Sequence, residues 1–69
     1  MELKSYTKSE LGLLYAPHLD QPGAVSRLMR WIKRCAPLYE ALQDSGYEPQ
    51  QKRFTLKQVE LIFTYLGEP

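Results

Sequence analysis

Apolar positions along the chain fall into four clusters with helical spacing, each bounded by helix breakers or caps. In the first, Leu11, Leu14 and Tyr15 recur at intervals of three and four, which predicts a helix from about Lys8 to Ala16. Its start is marked by Thr7-Lys8-Ser9-Glu10. In such a capping box the threonine hydroxyl accepts from the Glu10 amide, and the Glu10 carboxylate reaches back to the Thr7 amide. Pro17 ends the helix, because the residue before a proline is disfavoured in the α region. Gly12 inside it costs about 1 kcal/mol relative to alanine unless close packing requires it. The second cluster, Val25, Leu28, Met29, Ile32 and Cys35, makes one apolar face of a helix from about Gly23 to Cys35, with Asp20 or Gln21 as its cap and Pro22 in its first turn. Leu38, Ala41 and Leu42 line the inner side of a third helix, from about Pro37 to Ser45. Glu40 and Asp44 point outward from it, and Gly46 stops it. The fourth helix, about Leu56 to Leu66, opens on a second capping box (Thr55 with Gln58) and stops at Gly67. Its core stripe is Leu56, Val59, Ile62, Phe63 and Leu66. Leu61 and Tyr65 fall opposite the stripe, as a dimer contact or as one wall of a fully buried helix.

Two stretches lack helical periodicity. Lys4-Ser5-Tyr6 reads as a short extended segment. Tyr47 to Phe54 reads as an extended arm, a turn and a return, forming either a small β-hairpin or an irregular loop. The pattern therefore predicts an all-α fold, or a mainly α fold with a minimal β-hairpin, in one small four-helix domain over residues 1–69. A chain of 69 residues buries only roughly 60% of its unfolded surface, so a deep enclosed active site has no scaffold to hold it.

The apolar share of 43% and charged share of 25% are those of an ordinary globular protein, and a net charge of +1 exerts no global pull on nucleic acid or membrane. The distribution of charge changes the picture. In the second helix Arg27, Arg30, Trp31 and Arg34 gather on the side away from the apolar face, with Lys33 flanking, and no acid occurs between Gln21 and Tyr39. Like charges at these spacings destabilise an isolated helix, and phosphate would offset that cost. Arginine forks bind phosphate bidentately or read guanine in the major groove, and Trp31 can stack on a base or pack against sugar. The competing reading pairs the arginines with Glu40, Asp44 and Glu48 and puts Trp31 in the core. A second basic pair, Lys52 and Arg53, follows the turn before the last helix, with Lys57 just beyond it. That pair is either a phosphate contact or a solvated loop.

Enzyme signatures are lacking, and we expect no catalytic activity. His18 with Asp20 lies in a proline-rich connection and reads as a solvated loop histidine, since a metal site needs three or four ligands. Cys35 has cationic neighbours in Lys33 and Arg34 but lies at the edge of the apolar face, where a structural cysteine is expected. A single cysteine fits a reducing compartment. The beginning of the chain has no apolar signal core, and no apolar run reaches the roughly 20 residues of a membrane span. The expectation is a cytoplasmic protein without cofactor, metal or small-molecule substrate.

The order of motifs adds a resemblance. Tyr6-Thr7 with Glu10-Leu11, then Arg30-Trp31-Ile32, then Gly46-Tyr47, then Arg53-Phe54-Thr55 with Gln58-Val59, resembles the MerR and excisionase type of winged helix-turn-helix protein. The resemblance implies that the second helix enters the major groove and that the segment before the last helix is the wing. The whole chain, including its Leu66-Gly67-Glu68-Pro69 end, also resembles a family of short bacterial proteins of unknown function, which imports no activity. Two expectations follow. In the first, the protein binds DNA through Arg27, Arg30, Trp31, Lys33 and Arg34, with Lys52 and Arg53 on phosphates. In the second, it is a protein-interaction module or homodimer that uses Trp31 with the arginines, or Leu61 and Tyr65, as its contact surface.

Overall fold

The computed structural model describes residues 3–69. Strand β1 (Tyr6–Thr7) leads directly into helix α1 (Lys8–Tyr15), followed by α2 (Gln21–Arg34), α3 (Ala36–Asp44), strand β2 (Arg53–Phe54) and α4 (Leu56–Leu66). Both capping boxes form. Thr7 accepts from the Glu10 amide at 3.0 Å while Glu10 accepts from the Thr7 amide at 2.8 Å. Thr55 and Gln58 repeat the arrangement at 3.2 and 3.0 Å. The hydrogen bonds with Thr7, aided by the charges of Arg53 and Lys4, hold the exposed Glu10 carboxyl below the usual carboxylate range.

The fold is mainly α with a minimal two-stranded antiparallel sheet, and the partner of the second strand is not local. Tyr6 pairs with Phe54 and Thr7 with Arg53, so residues 47–52 form a loop rather than the first arm of a hairpin. The extended segment expected near Tyr6 is the other half of this sheet. The connection between α1 and α2 is also tighter than the breakers suggest. Asp20 accepts from the Gly23 amide at 3.0 Å, which starts α2 at Gln21 and places Pro22 in its first turn, where a missing amide proton costs nothing.

Gly12 explains how α1 and α2 can lie so close. A Cβ there would sit 2.9 Å from the backbone carbonyl carbon and oxygen of Ala24, which have no freedom to move aside. The fully buried Ala24 provides the matching small surface on α2. Gly12→Ala is therefore expected to destabilise the protein by about 2 kcal/mol, because the overpacking cost exceeds the helix-propensity gain. A thermal melt checks this. A variant as stable as the parent would mean that the helices separate without penalty.

At the far end of α3, Gly46 adopts φ +93 and completes a Schellman motif, with Tyr47 N–H donating to Leu42 O and Gly46 N–H to Gln43 O, both at 3.0 Å. The reversal turns Tyr47 into the core, where its ring stacks on Phe54 with centroids 5.8 Å apart. Around this pair lie Tyr6, Leu11, Leu28, Ile32, Leu38, Leu42, Val59 and Ile62.

One helix is rotated from its expected orientation. In α4 Leu56 is 50% exposed, whereas Gln58 is 1% exposed and stands with Val59 and Ile62 on the buried side. Leu61 packs against the core edge, and Tyr65 remains 46% exposed. Gln58 can occupy the interior because both its amide oxygen and its amide nitrogen are hydrogen-bonded. Its oxygen accepts from the Thr55 amide at 3.0 Å and from Gln51 Nε2 at 2.7 Å, and its own Nε2 donates to Ser45 Oγ at 3.3 Å. Burial without these partners would cost on the order of a few kcal/mol.

Candidate nucleic-acid interface

The outer surface of α2 divides into two flanks with different surroundings. On one flank, Val25, Met29, Arg30 and Lys33 line an open depression of about 720 Å³ together with Gln21, Pro22, Ser26 and, from α1, Ser9. A second depression of about 530 Å³ shares Ser9, Gln21 and Val25 with it and continues to Lys8 and to the loop residues Pro49 to Lys52. The two form one groove running along α2 and ending at the loop. Cations stand at both ends, Arg30 and Lys33 at one and Lys8 and Lys52 at the other, and no carboxylate is among the lining residues.

The loop wall is held at several points. The Lys8 amide donates to Lys52 O at 2.9 Å, and Lys8 Nζ donates to Pro49 O at 2.8 Å while lying 5.0 Å from the centre of the Tyr47 ring. Gln51 Nε2 bridges Arg53 O at 2.8 Å and the buried Gln58. The loop is thus anchored to the start of α1 and to α4, and the backbone of Lys52 is held at the edge of the groove beside α2. Lys8 was not foreseen as part of this surface. As the first residue of a capped helix it carries a routine charge, and only the β1–β2 pairing brings it under the loop.

On the other flank of α2, Trp31 is half-buried and meets Tyr15 of α1 edge-on, with centroids 6.2 Å apart, and the Arg27 guanidinium lies 6.0 Å from the Trp31 ring centre. The Tyr15 hydroxyl donates to Gly67 O, tying the end of α4 to this cluster. Burial, with a contribution from Glu68, pushes the Tyr15 hydroxyl up to about 12, so it remains a donor at any physiological pH. Trp31 and Arg27 consequently belong to a packed aromatic cluster away from the groove. Arg34 is exposed on the arc between the flanks.

The seven sequence-chosen residues are therefore not one patch. Arg30, Lys33 and Lys52 come together around the groove, and Arg34 adjoins it. Arg27 and Trp31 face α1. Arg53 is turned toward β1, donating to Ser5 O at 3.3 Å and Ser5 Oγ at 3.1 Å, with Glu10 at 3.9 Å. Among the described residues, the cations of α2 have no carboxylate within ion-pairing distance. Glu40, Asp44 and Glu48 do not neutralise them, and Glu48 instead accepts from Gln50 at 2.9 Å.

Among the described residues no group of three or more His, Cys, Asp or Glu side chains could hold a metal ion, and Asp20 is engaged as the α2 cap. Cys35 is half-buried at the junction of α2 and α3. No helix of the described residues is long and apolar enough to cross a membrane.

Comparison with known proteins gives a family without an activity. Residues 2–69 match the family described as a domain of unknown function (DUF4248). No curated protein and no solved structure matches the chain.

Proposed function

We propose that this chain, which belongs to the DUF4248 family of domains of unknown function, is a small DNA-binding protein of winged helix-turn-helix type. In this reading α1 and α2 form the helix-turn-helix, α2 enters the major groove, and the Pro49–Lys52 loop serves as a short wing. The observation that carries the proposal is the acid-free groove along α2, with Arg30 and Lys33 unpaired at one end and Lys52 held beside the other. Cations left unpaired by their own protein and set along the exposed side of a helix can satisfy phosphates without first breaking internal contacts. Of the seven residues singled out from the sequence, Arg30, Lys33, Arg34 and Lys52 remain as the contact set.

Three or four phosphate contacts make a weak, salt-dependent binder, with log K falling against log salt at a slope of about −3. Fluorescence anisotropy of a labelled random-sequence duplex, titrated with the protein at increasing salt, tests this. Binding at low salt with that slope supports the reading. Absence of binding at low salt, with protein on the order of tens of micromolar, rejects it, because non-specific binders associate in this range.

A second reading, a homodimer or protein-interaction module, rests on Tyr65, which is nearly half exposed on α4 although tyrosine is enriched in binding hot spots. Sedimentation at high protein concentration distinguishes the two. A dimer dissociated by Tyr65→Ser would favour this reading, and a monomer that still binds duplex would favour the first.

A further inference from the structure

The groove along α2 is charged only at its ends. Between Arg30 and Lys33 at one end and Lys8 and Lys52 at the other, its middle is built from Ser9, Gln21, Val25, Ser26 and Met29. Gln21 and Val25 line both depressions and so mark the centre. From Gln21 to Lys33 the helix advances about 18 Å at 1.5 Å per residue. The whole groove, which continues past Gln21 to Lys8 and Lys52, is therefore longer than the roughly 12 Å width of the major groove of B-DNA, so in the DNA-binding reading the cations at its two ends can reach the two sugar-phosphate backbones while the uncharged middle lies over the base-pair edges.

We infer that the middle of this groove is a base-reading surface that prefers A·T pairs, with Gln21 contacting adenine and Val25 and Met29 contacting the thymine methyl group. The inference rests on the DNA-binding reading above. Three observations carry it. The Gln21 side chain is exposed and makes no hydrogen bond within the protein, so its amide oxygen and nitrogen are both free to meet adenine N6 and N7 together. Val25 and Met29 are partly exposed on the same flank and offer an apolar surface of the kind that distinguishes thymine from cytosine. Gln21 is the first residue of α2, and the N-terminal residues of a helix docked this way are those that reach base edges. Charge-based reading of the sequence passes over all three positions because none is ionised.

The test is selection of bound duplexes from a randomised pool, followed by anisotropy titration of the enriched duplex and its analogues. The expected site contains adjacent A·T pairs. Replacing its thymines by uracil, which removes only the methyl group, should weaken binding several-fold. Replacing the contacted adenine by 7-deazaadenine should weaken it about tenfold in the parent protein and hardly at all in Gln21→Ala. Gln21→Ala should keep the parent's salt slope, because no phosphate contact is lost. Gln21 is exposed and its side chain makes no internal hydrogen bond, so the variant is expected to fold, and a thermal melt verifies it. Enrichment of G·C-rich sites whose preference disappears in Arg30→Ala would overturn the inference, as would tight binding without any enrichment. Either outcome leaves the DNA-binding reading standing. Failure of the parent protein to bind any duplex at low salt overturns both, and capture of an acidic peptide under the same conditions would assign the groove to a protein ligand instead.

Discussion

Phe54→Ala is expected to lose about 3–5 kcal/mol of stability, enough to unfold much of the population at room temperature. Phe54 is fully buried, stacks on Tyr47 and pairs across the sheet with Tyr6. Truncating a buried phenylalanine removes the transfer free energy of the ring and leaves a cavity that the surroundings fill only in part. A domain of this size has a total stability of roughly 3–10 kcal/mol, so one such change consumes a large share of it. The same ring anchors the strand that follows the loop, so any folded fraction should also present Lys52 less well. Urea unfolding followed by circular dichroism measures the loss. A midpoint that barely moves would show that the Tyr6–Phe54 contact is peripheral and that the helices alone sustain the fold.

The largest functional effect is expected from Arg30→Glu combined with Lys33→Glu. Both side chains are exposed, neither has an ion-pair partner, and both border the same groove. Reversing them replaces two phosphate contacts with two repulsions. Affinity for duplex DNA at low salt should fall by well over about tenfold, and the salt slope should become shallower by about 2. Stability should change by less than about 0.5 kcal/mol, as for most exposed positions. Arg53→Ala is the informative companion, because this residue looks equally basic in the sequence but is turned to Ser5 and Glu10. Its loss should leave affinity within about twofold of the parent, since no phosphate contact is removed. If Arg53→Ala weakened binding as much as the double reversal, the contact surface would lie on the β-sheet edge and not along α2.

What could be read from the sequence was whatever is decided within one turn of the chain. The capping boxes at Thr7 and Thr55, the Gly46 stop and the order of the four helices depend on groups three or four residues apart, and all of them formed. The rotation of α4 escaped notice because hydrophobicity alone favours Leu56 over Gln58 as the inner residue. The outcome depends on Gln51 and Ser45, which lie well outside the helix and whose convergence no periodicity reveals. The division of α2 has a similar origin. The helical wheel groups Arg27, Arg30, Trp31 and Arg34 correctly as non-core, but which of them faces α1 depends on Gly12 admitting Ala24, and which faces the loop depends on a strand pair spanning most of the chain. Val25, read as core, lines the open groove because Ala24, Leu28 and Ile32 already fill the buried side, whereas Met29 does pack against the core, its sulfur accepting from the Tyr47 hydroxyl at 3.8 Å, and presents only its remaining surface to the groove.

The pairing of Tyr6 with Phe54 also sets an order of events during folding. Helices α1 and α2 are neighbours in sequence and can dock as soon as both exist, on the fast timescale of local contacts. The sheet must wait until the chain closes a loop spanning α1, α2 and α3, and that closure carries an entropy penalty with no reward until Phe54 arrives. The groove, whose far wall is fixed by that closure, is therefore not a property of α2 alone and depends on the longest-range contact in the sheet.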